Sequence, residues 1–89
     1  MIKFFTVEHE SDSTTSFYGT NSIVSICKGL DPHAKEDGEH TIIRYASDYN
    51  ILVVGNYKDV RKAIEGLSNG SDEGLVLKEY VIQPAPFVL

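Results

Sequence analysis

"YNILVVGNYKDVRKAIEGL", residues 49–67, decides the reading of this chain, because a run of hydrophobic residues stops at Gly55 and a helical pattern begins. Val60, Ala63, Ile64 and Leu67 recur at i, i+3, i+4 and i+7, while Lys58, Asp59, Arg61, Lys62 and Glu65 fill the other positions, so the segment after the glycine is a one-sided amphipathic helix. Asn56 is placed to cap it, its side-chain oxygen accepting from amides two and three residues on, and Asp59 puts negative charge near the positive end of the helix dipole. Gly66 is the expected left-handed residue at the helix end. A phosphate-cradling loop needs G-x-x-x-x-G-K-[ST] and a dinucleotide fingerprint needs three spaced glycines. Gly55 stands alone, so "VVGNYKD" is punctuation between a strand and a helix.

Working outward, 50–54 and 41–46 ("NILVV", "TIIRYA") are β-rich runs joined by "SDY", a spacing that suits an antiparallel hairpin. Residues 2–8 ("IKFFTVE") read as a strand followed by the polar loop "ESDSTTS". Residues 22–28 ("SIVSICK") read as another strand, with Ser22, Val24 and Ile26 on one side and Ile23, Ser25 and Cys27 on the other. Gly29, Asp31-Pro32 and Asp37-Gly38 make 29–40 an exposed loop. The run 75–82 ("LVLKEYVI") is the last strand, closed by Pro84 and Pro86. The expected fold is a single small α+β domain over 1–89, in the order β-β-β-β-α-β. It has two layers, with the helix across a mostly antiparallel sheet of about five short strands.

Eighty-nine residues suit one core, and a chain of this size buries only about 60–65% of the surface its unfolded form exposes. Cys27 is the only cysteine, so no internal disulfide stabilises it, and no Cys/His grouping has the spacing of a structural zinc site. No apolar run approaches the eighteen or so residues of a membrane span, and "MIKFFTVEHE" turns acidic before a signal-peptide core forms, so a cytoplasmic protein is expected. The formal charge is −5, from thirteen acids and eight scattered bases, of which only Lys58, Arg61 and Lys62 cluster. Direct nucleic-acid binding, which rests on clustered cations, is disfavoured; a basic protein surface suits the charge.

His33 and His40 share a loop with Asp31, Glu36, Asp37 and Glu39, but that segment has no register to fix two ligands on one face, and it reads as a solvated acidic loop with no metal or cofactor. Cys27 sits in an apolar strand as a small hydrophobe. A serine brought to a histidine by folding is recognised by geometry alone and stays open. Phe4/Phe5 and Phe17/Tyr18 are adjacent pairs, so one member of each points away from the other where the backbone is extended, and aromatics are enriched at interface centres.

The leading expectation is a small, acidic, non-enzymatic binding protein that occludes or modulates a larger protein with a basic surface. Its candidate contacts are Glu36, Asp37, Glu39, Phe17, Tyr18 and Tyr49. Compactness without targeting signals or catalytic motifs suits an inhibitor carried by a phage or mobile element against a nucleic-acid-processing complex, of the anti-CRISPR kind. The alternative is a small-molecule-binding or sequestering protein with a Tyr/His-lined pocket at an oligomer interface. The apolar tail 84–89, with Phe87, Val88 and Leu89, is expected to dock either on the chain's own sheet or reciprocally in a homodimer.

Overall fold

The amphipathic segment forms α1, Tyr57–Ser68, in the computed structural model, which describes residues 3–9, 14–34, 38–70 and 73–82. Asn56 Oδ1 accepts from the amides of Lys58 at 2.8 Å and Asp59 at 3.2 Å, satisfying two of the donors that a helix start leaves unpaired. Val60, Ile64 and Leu67 are buried, whereas Ala63 faces solvent at the margin of the stripe. The helix does not stop at Gly66. That residue lies within the last turns, and the chain leaves the helix through Asn69 and Gly70, whose φ of 105° is open to glycine and strained for other residues. Gly55 is equally constrained: φ is 132°, and a β-carbon there would lie 2.8 Å from Val60 Cγ2.

The class is α+β, with six strands in two three-stranded sheets where the sequence reading expected about five in one. In chain order these are β1 (Phe4–Glu8), β2 (Thr15–Gly19), β3 (Ile23–Leu30), β4 (Glu39–Tyr45), β5 (Asn50–Val54) and β6 (Val76–Lys78), with a 3₁₀ turn at Thr20–Ser22. One sheet runs β2-β1-β6, antiparallel between β1 and β2 and parallel between β1 and β6; the other runs β3-β4-β5, antiparallel throughout. The unexpected strand is β2, "TSFYG", whose Thr, Ser and Gly content hides it from propensity and whose existence depends on pairing with β1. The segment read as a loop over 29–40 is shorter than expected, because β3 continues to Leu30 and β4 starts at Glu39. The last strand is shorter as well, ending at Lys78 in place of 82.

A shift in register between Ile23 and Ser25 also overturns the alternation expected for β3. The extra residue lets Ile23 and Ile26 both pack against the core while Val24 is exposed. The β4–β5 hairpin forms as expected, turning through 46–49 with Asp48 at φ 61°, a conformation that aspartate tolerates. Phe5, Val7, Ile43, Tyr45, Ile51, Val53, Val60, Ile64, Leu67 and Leu77 form one core between the two sheets and the helix. The alternation at the first aromatic pair holds: Phe5 is buried and Phe4 exposed.

The sheets are joined by backbone at Glu79 and Tyr80. The Glu79 amide donates to Glu8 O of β1 at 2.9 Å, and the Tyr80 amide donates to Leu52 O of β5 at 2.8 Å. No helix among the described residues is long and apolar enough to cross a membrane. Glu36, Asp37 and the tail residues Phe87, Val88 and Leu89 lie outside the described residues.

The packing of α1 gives a direct test. Ile64→Ala should destabilise the protein by about 2–5 kcal/mol, whereas Lys62→Ala, on the exposed face, should change stability little; thermal unfolding of the two variants checks the contrast.

Candidate functional site

Side chains directly across paired strands share a face, so the inner face of the first sheet is a series of rows: Tyr18 beside Phe5, then Ser16 beside Val7 and Leu77. Two residues beyond Val7 and Leu77 the same face carries His9 and Glu79, with His9 held in line by its amide bond to Thr14 O at 2.9 Å. The apolar core therefore ends in a polar row. His9 Nδ1 lies 2.6 Å from Glu79 Oε2, and His9 Nε2 lies 2.9 Å from Ser16 Oγ. An ionised carboxylate only accepts, so Nδ1 carries the proton that Glu79 receives, and in the neutral imidazole the Nε2 lone pair accepts from the Ser16 hydroxyl. The His9 side chain is 15% exposed and that of Glu79 28%. Histidine and glutamate also line a cleft of about 340 Å³ completed by Glu8, Val54 and Lys78.

An aromatic stack adjoins this row. Tyr18 sits between Phe5 and Tyr45, with ring centroids 5.8 and 5.7 Å away, and Tyr49 stacks on it at 6.5 Å. The Tyr18 hydroxyl interacts with those of Tyr49 and Ser16; burial, followed by the Tyr49 interaction, raises its pKa. The Tyr45 hydroxyl is buried with no hydrogen-bond partner among the described residues, and desolvation raises its pKa, with the proximity of Tyr18 adding to the effect.

The histidine-and-acid segment that reads as a solvated loop is in part a buried latch. Asp31 and His40 are 5% and 2% exposed. Asp31 Oδ2 accepts from the Tyr80 hydroxyl at 2.8 Å, Oδ1 accepts from the His33 amide at 3.0 Å, and His40 Nδ1 donates to Gly38 O at 2.9 Å. The His40 and Tyr80 rings stack 4.3 Å apart at 8°. His40 is paired across the strands with Gly29, and a β-carbon at Gly29 would collide with the His40 imidazole. The expected exposure fails because Tyr80, distant in sequence, covers the imidazole. His33 remains exposed, and no group of three metal-ligating side chains occurs among the described residues.

The outer face of the first sheet is apolar at its centre. Phe17 and Val76 flank Thr6 on either side in register, with Phe4 two residues along β1, and the three hydrophobic side chains are 74%, 57% and 57% exposed. Thus, of the expected contact residues, Phe17 lies on this face and Tyr18 on the opposite one. Tyr49 is exposed at the β4–β5 turn, and Glu39 begins β4 opposite Leu30. Sequence reasoning missed Ser16, His9 and Glu79 as a group. No signal in a single sequence links residues 70 apart, although the alternation of "FFTVEH" does put His9 on the face of Phe5 and Val7 once that strand is extended by one residue.

No family model, curated protein or solved structure matches this chain.

Tyr45 yields a test in alkaline solution. Burial raises its folded pKa above the unfolded value near 10.0, so the native state holds the proton more tightly; the resulting stability is complete below that value and is lost as pH rises beyond it. Tyr45→Phe should therefore flatten the fall in melting temperature above about pH 10. It should also raise the neutral-pH melting temperature by removing a buried hydroxyl whose desolvation costs about 1–3 kcal/mol. Thermal unfolding from neutral to alkaline pH reads both effects.

Proposed function

We propose that this chain is a binding protein that docks the outer face of β2-β1-β6 onto a basic surface of a larger protein and so occludes or modulates it. The observation that carries this reading is the exposed group Phe4, Phe17 and Val76, side by side around Thr6 on three neighbouring strands. Apolar side chains held rigid by a sheet lose little entropy on docking, and aromatics dominate the energetics of interface centres. The net charge of −5 supplies attraction to a cationic partner over about 8–10 Å at physiological salt, and argues for a protein partner over nucleic acid. A cytoplasmic inhibitor of a nucleic-acid-processing complex, carried by a phage or mobile element in the manner of anti-CRISPR proteins, has this combination of size, acidity and a flat apolar face.

A second reading rests on the cleft of about 340 Å³ beside His9 and Glu79, a volume at the small end of ligand sites. It makes the chain a small-molecule binder. Its described lining includes His9 but no tyrosine, so the pocket differs from the Tyr/His-lined one expected from the sequence.

Surface-based kinetics against purified nucleic-acid-processing complexes, CRISPR effectors among them, test the first reading. The full chain should bind at least one, with an on-rate that falls as salt rises. The double variant Phe4→Ser/Phe17→Ser should bind at least about tenfold more weakly while keeping its melting temperature. Equal binding by the double variant would remove the sheet face from the mechanism.

A further inference from the structure

Glu79, His9 and Ser16 stand in the order of a charge-stabilised nucleophile: a carboxylate on the proton-bearing nitrogen of an imidazole at 2.6 Å, and a serine hydroxyl on its other nitrogen at 2.9 Å. The three come from three strands of one sheet or their direct continuations, which fixes their spacing by backbone pairing: β2 for Ser16, the residue after β1 for His9, the residue after β6 for Glu79. We propose that this row is an acyl-transfer site in which Ser16 is the nucleophile, His9 the general base and Glu79 a positioning residue, acting on small carboxylic esters. The Ser16, His9 and Glu79 row lies on the face of the sheet opposite Phe4, Phe17 and Val76; the proposal rests on the cleft reading for the place where the ester is held, at the end of the sheet where Glu8 and Lys78 of the outer face meet His9 and Glu79.

The chemistry closes without an added cofactor. Ser16 Oγ attacks the ester carbonyl as its proton passes to His9 Nε2, giving a tetrahedral oxyanion and an imidazolium that the Glu79 carboxylate stabilises. Collapse breaks the bond to the alkoxy group, which leaves as the alcohol with the proton from His9 and leaves an acyl group on Ser16. Water then attacks the acyl-serine, giving its proton to His9, and Ser16 departs with that proton as the carboxylic acid is released. The Tyr18 hydroxyl interacts with that of Ser16, so a phenolic O–H stands beside the nucleophile as a donor for the developing oxyanion. His9 is the wall common to the serine and the cleft, and Val54 gives that cleft an apolar side for a short acyl or alkoxy group. Its size and its mixed Glu8, Lys78 and Glu79 lining suit small, compact esters.

The experiment treats the full chain with a fluorophosphonate probe, locates the adduct by peptide mass spectrometry, and follows hydrolysis of p-nitrophenyl acetate. One adduct on Ser16 is expected, absent from Ser16→Ala and at least about tenfold slower to form in His9→Gln and Glu79→Gln. Ester hydrolysis should show a burst of nitrophenol stoichiometric with protein, because acyl-enzyme accumulates, and Ser16→Ala should lose the burst; background hydrolysis by the exposed His33 imidazole gives none. A wild-type chain that takes no adduct overturns the proposal whatever the stability of the variants, as does an adduct spread over several serines or one on Ser16 that forms at the same rate in His9→Gln. Saturation of the rate with ester supports the cleft as the substrate pocket, and an Ser16 adduct with a rate that never saturates overturns that placement while upholding the nucleophile.

Discussion

Two consecutive residues, Glu79 and Tyr80, hold the described architecture together. Through their amides they join β1 of one sheet to β5 of the other, and through their side chains they reach His9 at one end and Asp31 and His40 at the other. Glu79 lies 70 residues from His9 and Tyr80 lies 49 from Asp31, so these bonds close very long loops. Loop-closure entropy grows only with the logarithm of length, and once the core has brought the sheets together the added cost of each further contact is small. Beside this junction the two three-stranded sheets meet through the apolar core and the Tyr18, Tyr45 and Tyr49 contacts, and a core of this size has little stability to spare.

The junction also sets the polarity of each sheet end. Row by row, the inner face of β2-β1-β6 passes from Tyr18 and Phe5, through Ser16, Val7 and Leu77, to His9 and Glu79. An imidazole and a carboxylate at that position carry a desolvation cost, which their mutual hydrogen bond and the Ser16 hydroxyl offset. At the other end the same logic governs Asp31, a nearly buried carboxylate that receives the Tyr80 hydroxyl and the His33 amide. Both ends are thus polar clusters fastened by one strap. The contrast lies in access: the Glu79 end borders a cleft, whereas the His40 imidazole is closed off by the Tyr80 ring.

One strand, β1, accordingly separates two distinct surfaces. Its outward residues Phe4 and Thr6 belong to the exposed apolar face, and its inward residues Phe5 and Val7 lead along the core to His9. The strict two-residue period of a strand keeps the two sets apart, so substitutions on one face leave the other intact. The proposed docking and the proposed nucleophilic chemistry can therefore be probed by separate substitutions in the same molecule.

Local pattern alone determined the helix after Gly55 with its Asn56 cap, the β4–β5 hairpin, the α+β class and the opposed orientation of Phe4 and Phe5, since each depends on residues within a few positions of one another. Gly66 misled the helix end because a glycine in an exposed turn of a helix costs only about 1 kcal/mol, and the stronger constraint fell on Gly70. Tertiary structure decided what depends on distant partners. Strand β2 exists because β1 offers its edge, His40 is buried because Tyr80 lies over it and Gly29 makes room, and the division into two sheets follows from β1 pairing with β2 and β6 while β4 pairs with β3 and β5. The serine, histidine and glutamate row is legible only after folding. Their meeting is produced by parallel and antiparallel register across three strands, a long-range property on which residue type and local spacing are silent.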